Sequence, residues 1–255
     1  MAQYTTEGIV IGGSKFGEAD RILRILTKER GRVSAMAKGV RRGKSKFSGC
    51  LEPMMVNTFL LAEGRNMDTV CQADNIRSFA NIRSDYSLVC CAGNLLEAAG
   101  KLTEEGLPDS STYGMLICAL DALEDGSPPK LVELLLKAGL LHEHGIFPDL
   151  SGCNSCGKKR TKAIHFDPTR MVFICDGCAK SHGVHHPIPR EILKSLHWAS
   201  QSGAGKKNSI SEMLNETKMT EASIDNAEKA VRLADEMLSA FLQTGFGSFK
   251  KQNKP

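Results

Sequence analysis

The chain has 255 residues, of which 41% are hydrophobic and 24% charged, and its formal net charge is +4. This length suffices for two domains with substantial cores, and no apolar run approaches the length of a membrane span. Nine cysteines, an odd number, in a sequence without a secretory signal peptide predict a cytoplasmic protein with reduced thiols, not a disulfide-bonded secreted one.

The net charge hides a strong asymmetry along the chain. Residues 1–80 carry a net +5, whereas residues 81–150 carry −7. Residues 15–46 alone contain 11 basic and 3 acidic residues, a local charge of +8. A segment with this much positive charge indicates a polyanionic partner such as nucleic acid. The alternative is that the charged side chains are simply solvated at the surface.

Short apolar runs in the first eighty residues predict five strands, over residues 7–13, 19–27, 31–40, 54–61 and 68–73. Because no helical period separates them, a small closed barrel of the OB-fold type is expected over residues 1–80. In the third strand, Val33, Ala35 and Ala37 share one face, and Arg32, Ser34, Met36 and Lys38 share the other. The basic face should therefore point outward.

After the third strand, residues 38–46 carry five positive charges and no apolar period, which predicts a mobile loop. Cationic side chains there and on the barrel would neutralise phosphates, so binding should weaken steeply with salt. Few aromatic rings accompany them, and Phe59 is expected in the core, so contacts should be weakly sequence-specific. The residues expected to bind nucleic acid are Arg24, Lys28, Arg32, Lys38, Arg41, Arg42, Lys44 and Lys46.

From residue 81 the apolar period becomes helical. Ser110 or Ser111 is expected to cap a helix over 113–123, and residues 130–144 are apolar almost all round, which predicts a central buried helix. Further helices are predicted over 190–200 and 221–242. Residues 81–150 and 180–245 therefore form one predicted helical domain, followed by a basic, disordered tail over 246–255.

Two cysteine pairs, Cys153-x2-Cys156 and Cys175-x2-Cys178, are eighteen residues apart. This spacing is typical of a four-cysteine zinc site, in which four thiolates complete a tetrahedron and leave no position for a catalytic water. We therefore predict one structural Zn²⁺ in a module over residues 151–179. Two disulfides or four free thiols are the alternatives, as is replacement of one cysteine by a nearby histidine (His165, His182, His185 or His186).

The five remaining cysteines lie in apolar surroundings and are expected to be buried: Cys50, Cys71, Cys90, Cys91 and Cys118. Signals for catalysis are poor. Residues 43–45 match the end of a P-loop, but Lys38 stands where its first glycine should be, and no Gly-x-Ser-x-Gly is present. The sequence therefore favours a protein that is not an enzyme.

Several motifs follow one another along the chain: Gly8-Ile-Val-Ile-Gly, Gly17-Glu-Ala-Asp-Arg21-Ile-Leu, Thr27-Lys-Glu-Arg-Gly-Arg32, Ala37-Lys-Gly-Val-Arg-Arg42, Leu51-Glu-Pro-Met and Leu134-Leu-Leu-Lys-Ala-Gly-Leu, with Gly145 to Pro148 leading into the first cysteine pair. In this order they resemble the RecO family of bacterial recombination mediators. The resemblance implies an OB-fold, a helical domain and a zinc finger. It also implies binding of single- and double-stranded DNA, annealing of complementary strands without ATP, and help in loading RecA. The implied partners are RecR and the C-terminal tail of single-stranded DNA-binding protein (SSB).

The sequence thus favours a cytoplasmic, nucleoid-associated DNA-binding mediator of α+β fold class. Three rivals stay open at this point. One is a zinc-containing RNA-binding or transcription-associated factor, which would prefer structured RNA. Another is a nuclease or zinc hydrolase, against which the closed four-cysteine set weighs. The last is a scaffold whose basic loop docks an acidic protein.

Overall fold

A computed structural model describes residues 2–42, 45, 47, 49–159, 164–184, 187–201 and 221–244. Lys44, Lys46, His185, His186 and the predicted tail lie outside the described residues. The chain divides into two compact units, Met1–Gly126 and Ser127–Pro255. Within the described ranges, no helix is both long and apolar enough to cross a membrane.

The described residues of the first unit form five strands followed by three helices. They are β1 (Gln3–Phe16), β2 (Asp20–Thr27), β3 (Gly31–Ala37), β4 (Val56–Ala62), β5 (Asp68–Arg77), α1 (Ala80–Ser84), α2 (Tyr86–Leu102) and α3 (Ser110–Glu124). All five predicted strands are present, and β1 and β5 are longer than expected. The predicted boundary at residue 80 lies inside this unit, where α1 to α3 follow the barrel.

The five strands close into a barrel in the order β1-β2-β3-β5-β4, with β4 pairing back onto β1. Among these barrel strands the β3–β5 pair is parallel, and the other pairs are antiparallel. This arrangement confirms the predicted OB-type barrel and the mixed α+β class. Val33, Ala35 and Ala37 point into the barrel core beside the fully buried Phe59, so the predicted faces of the third strand are also confirmed.

Helices α2 and α3 pack on the outside of the barrel. The Tyr113 hydroxyl donates to Glu7 Oε1 over 2.8 Å, and this bond ties α3 to β1. The expected serine cap of α3 is wrong. Asp109 is the N-cap residue, and its carboxylate accepts from the backbone N–H of Thr112 at 2.9 Å. Aspartate is as good a cap as serine, and here it lies one residue earlier.

Burial of all five remaining cysteines was also an incorrect expectation. Cys91 is buried, but its neighbour Cys90 is exposed, and Cys50, Cys71 and Cys118 are intermediate. Successive residues of a helix point about 100° apart, and α2 buries only one face, so Cys91 lies on its buried face whereas Cys90 lies on its exposed face.

The second unit combines helices with a small sheet: α4 (Pro129–Glu143), β6 (Ile164–Asp167), β7 (Val172–Cys175), α5 (Asp176–His182), β8 (Pro187–Ile188), α6 (Arg190–Gln201) and α7 (Glu221–Thr244). Helices α4, α6 and α7 pack against one another. Residues 131–141 of α4 are buried without exception, as the all-round apolar pattern predicts. Strands β7, β6 and β8 form an antiparallel sheet in that order.

Candidate metal site and nucleic-acid interface

The four predicted zinc ligands come together at one point of the second unit. The Sγ atoms of Cys153, Cys156, Cys175 and Cys178 all lie within 4.8 Å of one another. The Cys156 and Cys175 Sγ atoms are 3.7 Å apart. A tetrahedron with metal–sulfur bonds of about 2.3 Å has edges of about 3.8 Å, so this spacing fits an ion held by four thiolates.

Backbone N–H groups further prepare the site for a cation. Cys153 Sγ accepts from the backbone N–H of Cys175 at 3.3 Å and of Cys156 at 3.5 Å. Burial raises the pKa of the Cys153 thiol, but hydrogen bonds from these two N–H groups, from the Ser155 N–H and from the Cys156 thiol together outweigh burial and lower the pKa to about 6. The thiolate, which is the form that binds metal, is therefore favoured at this position.

The pKa of the Cys178 thiol is shifted in the opposite direction. The Ser155 hydroxyl lowers the pKa of the Cys178 thiol, but hydrogen bonds of this thiol with Cys156, Cys175 and Cys153, together with burial, raise that pKa to about 11. Neighbouring thiolates repel one another, so several of them are not deprotonated together without a counter-ion. A divalent cation among the four thiolates would remove this repulsion.

The local fold explains why both cysteine pairs converge. Asn154 clamps the first pair to β7, because its N–H donates to the Phe173 carbonyl at 2.9 Å and its Oδ1 accepts from the Phe173 N–H at 3.0 Å. Gly157 closes the first turn with φ +73°, a conformation that glycine adopts without strain. Cys175 ends β7 and is the N-cap residue of α5, whose first turn carries Cys178.

The nearby histidines are not part of this cluster where the structure describes them. His165 Nε2 lies 2.8 Å from Asp176 Oδ1, and His182 ends α5. His185 and His186 lie outside the described residues. Among the described side chains, the group close enough to share one ion consists of the four cysteines alone.

The predicted nucleic-acid residues are divided between the two ends of the β2–β3 hairpin, about 23 Å apart along β2. At one end the loop after β3 folds onto the β1–β2 turn. The Arg41 N–H donates to the Ala19 carbonyl at 2.9 Å, and Arg41 Nη1 donates to the Gly17 carbonyl at 3.2 Å. The Gly39 N–H donates to Asp20 Oδ1 at 2.7 Å.

These contacts gather a cluster that we call the cationic end: Lys15, Arg21, Lys38, Arg41 and Arg42. Arg21 pairs with Glu52 at 2.8 Å, and the other four cations are exposed. Three carboxylates accompany the five cations there, those of Glu18, Asp20 and Glu52. The cationic end therefore keeps a positive excess, to which Lys44 and Lys46, outside the described residues, add charge in sequence.

The opposite end of the hairpin is electrostatically balanced. Its cations are Lys28, Arg30, Arg32 and Arg65, and its carboxylates are Glu29, Glu63, Asp68 and Glu105. Arg30 pairs with Glu63 at 2.8 Å and stacks on the Tyr4 ring at 3.7 Å. Arg32 Nη1 donates to the Gly100 carbonyl at 2.8 Å. Lys28 and Arg32 thus lie in a weaker field than the loop residues do.

Arg24 lies between the two ends, on the outer face of β2. It is exposed and pairs in register with Gly12 on β1 and Ser34 on β3. A Cβ at position 12 would stand 2.8 Å from Arg24 Nη2, so the glycine leaves room for the guanidinium to cross β1. Lys15 and Arg21 were not singled out from the sequence, although both lie in the basic segment.

Comparison with protein families accounts for nearly the whole chain. Residues 1–79 match the family described as Recombination protein O N terminal, and residues 83–244 match Recombination protein O C terminal. The chain belongs to the RecO family. The resemblance seen in the motifs is thereby confirmed, and with it membership in a family of DNA repair proteins.

Individual relatives agree with this assignment. The chain is 37% identical to DNA repair protein RecO of Rubrobacter xylanophilus over 199 residues, which cover 77% of this chain and 80% of the relative. It is 32% identical to RecO of Dehalococcoides mccartyi strain CBDB1 over 200 residues, covering 78% and 79%. RecO of Anaeromyxobacter sp. strain K matches at 31% over 253 residues, covering 97% and 93%.

Proposed function

We propose that this protein is a non-enzymatic DNA-binding mediator of recombinational repair. In this proposal the barrel, residues 1–80, holds DNA through its phosphates. In the same proposal residues 81–150 and 180–245 form the helical domain from which the module 151–179 emerges, although the first helices of that domain, α1 to α3, belong to the same compact unit as the barrel. The observation that carries the proposal is the positive excess at the cationic end, where Arg41 binds the β1–β2 turn and leaves exposed cations around it.

The chemistry of annealing follows from charge neutralisation. Two complementary strands repel each other through their phosphates, and bound cations release counterions and lower that repulsion. Pairing can then proceed without nucleotide hydrolysis. Family membership supports the further proposal that the protein works on SSB-coated single strands with RecR, binds the SSB C-terminal tail, and thereby helps to load RecA. A cytoplasmic, nucleoid-associated location accompanies these partners.

We further propose that the four cysteines hold one structural Zn²⁺. Soft thiolates select zinc or iron–sulfur clusters, and a tetrahedral set of four with no open position is typical of structural zinc. When bound, the metal would supply folding energy to a module whose apolar core is small, consisting of Cys153, Ile174, Cys175 and Ala179.

The decisive experiment is annealing of two labelled complementary oligonucleotides by the purified protein, without ATP, at low and moderate salt. We expect accelerated annealing that weakens with salt. The double variant Arg41→Ala/Arg42→Ala should slow annealing, weaken DNA binding, and reduce the slope of log affinity against log salt by about two. The matched control is Lys194→Ala/Arg232→Ala, which removes equal charge from exposed positions on α6 and α7.

An unchanged salt slope in the Arg41/Arg42 variant would refute the assignment of the cationic end. DNA binding without accelerated annealing would leave a DNA-binding module and remove the mediator role. A preference for structured RNA over single-stranded DNA would favour the RNA-binding alternative. Binding of purified RecR and of an SSB-tail peptide, measured by calorimetry, tests the two protein partners separately.

A further inference from the structure

The outer face of the β1–β2–β3 sheet is divided into a covered and an open half. Strand register places Ile9 opposite Leu26, and both side chains are fully buried although they point out of the barrel. Ile11, next along β1, meets α2, since a Cβ on Gly100 would lie 3.0 Å from its Cδ1. The helices therefore cover the middle of β1, around Ile9 and Ile11, and the end of β2.

A bulge between Val10 and Gly12 changes which β1 residues face outward. Beyond it, Ser14 pairs with Ile22, and Phe16 pairs with Asp20. Because Leu23 points into the barrel core, its neighbours Ile22 and Arg24 point outward, and register places Ser14 and Phe16 on the same side. The open half of the outer face therefore includes Phe16 and leads directly to the cationic end.

The open half presents apolar groups between cations. Ile22 pairs with Met36 on β3, and both side chains are half-buried. Phe16 is 48% exposed and is one of four large hydrophobic residues exposed in the described part of the chain. Arg24 lies toward the middle of the same face, and Arg41 Nη1 binds the carbonyl of Gly17, the residue next to Phe16.

A ring exposed among cations fits one ligand chemistry well. Cations attract phosphates, whereas an exposed aromatic face gains most by stacking on a flat, apolar partner. In a duplex the base faces are already stacked on each other, so only an unpaired base offers its face to a side chain. A folded acidic protein surface supplies the charge but not the planar partner.

We propose that Phe16 is a base-stacking platform, and that with Arg24 and Arg41 beside it the open half of the outer face selects single strands over duplex DNA. This inference rests on the proposed DNA-binding function of the cationic end and adds the preferred form of DNA to it. Ile22 and Met36 extend the apolar surface on which a neighbouring base lies.

The test compares Phe16→Ala and Phe16→Leu with the wild type on an oligo-dT strand and on a duplex of the same length. Loss of one stacked base should weaken binding to the single strand about fivefold or more. Duplex binding should change less than twofold, and the salt slope should stay as in the wild type, because no charge is removed. Leucine keeps an apolar side chain but lacks the ring, so it should behave like alanine.

Two further variants complete the design. Tyr86→Ala removes another exposed aromatic side chain, which is 84% exposed at the start of α2, and should leave binding unchanged. Phe16→Trp should keep single-strand affinity, and its fluorescence should be quenched on adding oligo-dT beyond any change at Trp198 seen in the wild type. Circular dichroism and thermal melting check that each variant is folded.

The outcomes separate this inference from the proposed function. The stacking role would be overturned if Phe16→Ala weakened binding to single strand and duplex equally. It would also be overturned if Phe16→Ala bound DNA normally while Arg41→Ala/Arg42→Ala still bound poorly. Either result would leave the cationic end as a phosphate site. If neither variant affects DNA, both proposals fail. A shift of Phe16→Ala from dimer to monomer in sedimentation, with DNA binding intact, would identify the face as a contact between two copies and would also overturn the inference.

Discussion

Lys137 is almost fully buried in α4, where its Nζ lies 2.7 Å from Glu133 Oε1 and 2.5 Å from Asp235 Oδ1 on α7. Glu133 is equally buried, whereas the Asp235 side chain is 50% exposed. At an effective dielectric constant of about 20, a contact at 2.7 Å is about 6 kcal/mol of Coulomb attraction, most of which offsets the desolvation of both ions. Removing one member of such a pair costs about 3–5 kcal/mol, because the other charge stays buried.

We therefore expect Lys137→Met, which keeps an apolar stem of similar length, to lower the free energy of unfolding of the second unit by about 3 kcal/mol. Glu133 then retains Lys130, whose Nζ is 3.4 Å from Oε2, and this contact keeps the loss at the lower end of the range. Loss of the half-exposed Asp235 partner adds less than about 1 kcal/mol.

Urea unfolding followed by fluorescence measures this loss. The single tryptophan, Trp198, belongs to α6, which packs against α4 and α7, so its signal follows the second unit. The control is Glu133→Leu/Lys137→Met, which removes both buried charges and should unfold within about 1 kcal/mol of the wild type. The reasoning is refuted if Lys137→Met lowers the free energy of unfolding by less than about 0.5 kcal/mol, or if the double variant is less stable than Lys137→Met. In either case the buried, unpaired charge of Glu133 is not the source of the destabilisation.

Two further perturbations test the metal module and the barrel. Cys175→Ser should abolish stoichiometric zinc in the purified protein and lower its melting temperature, whereas the control Cys118→Ser should retain the metal. Full zinc content of Cys175→Ser, measured by atomic absorption, would exclude Cys175 as a ligand. Gly31→Ala should destabilise the first unit strongly, because φ is +65° and its Cβ would stand 1.8 Å from the Leu107 carbonyl oxygen. Gly17→Ala, with φ +56° and nothing within 4 Å, should cost only about 1 kcal/mol, so equal thermal shifts in the two variants would contradict the steric account.

Much of the fold was accessible from local pattern. Alternation of Val33, Ala35 and Ala37 with polar neighbours identifies the inner face of β3, because side chains of a strand alternate whatever the strand pairs with. The all-round apolar run in α4 likewise predicts its burial. The cap of α3 was misjudged because Asp109 and the two serines after it all have good capping side chains, and only backbone conformation distinguishes them.

The candidate metal site was also predictable, since two C-x2-C pairs place their thiolates by short-range turn geometry. The nucleic-acid surface was predictable only as a segment. Counting charge over residues 15–46 weighs Lys28 and Arg41 equally, although one lies among balancing carboxylates and the other beside exposed cations. Phe16 was visible in the sequence as a ring, but the bulge after Val10 determines the face on which it lies.

The sequence by itself thus determined the strands, the long helices, the four thiolates and the excess of positive charge, because each depends on residue type and short spacing. Tertiary structure alone decided which charges act together. The interaction between two charges weakens with distance. The charged residues between positions 17 and 42 come close to one another only through barrel closure and through the contacts of Arg41 with Gly17 and Ala19. The same closure neutralises Arg30 with Glu63 at the other end, so the positive field remains where the loop meets the β1–β2 turn.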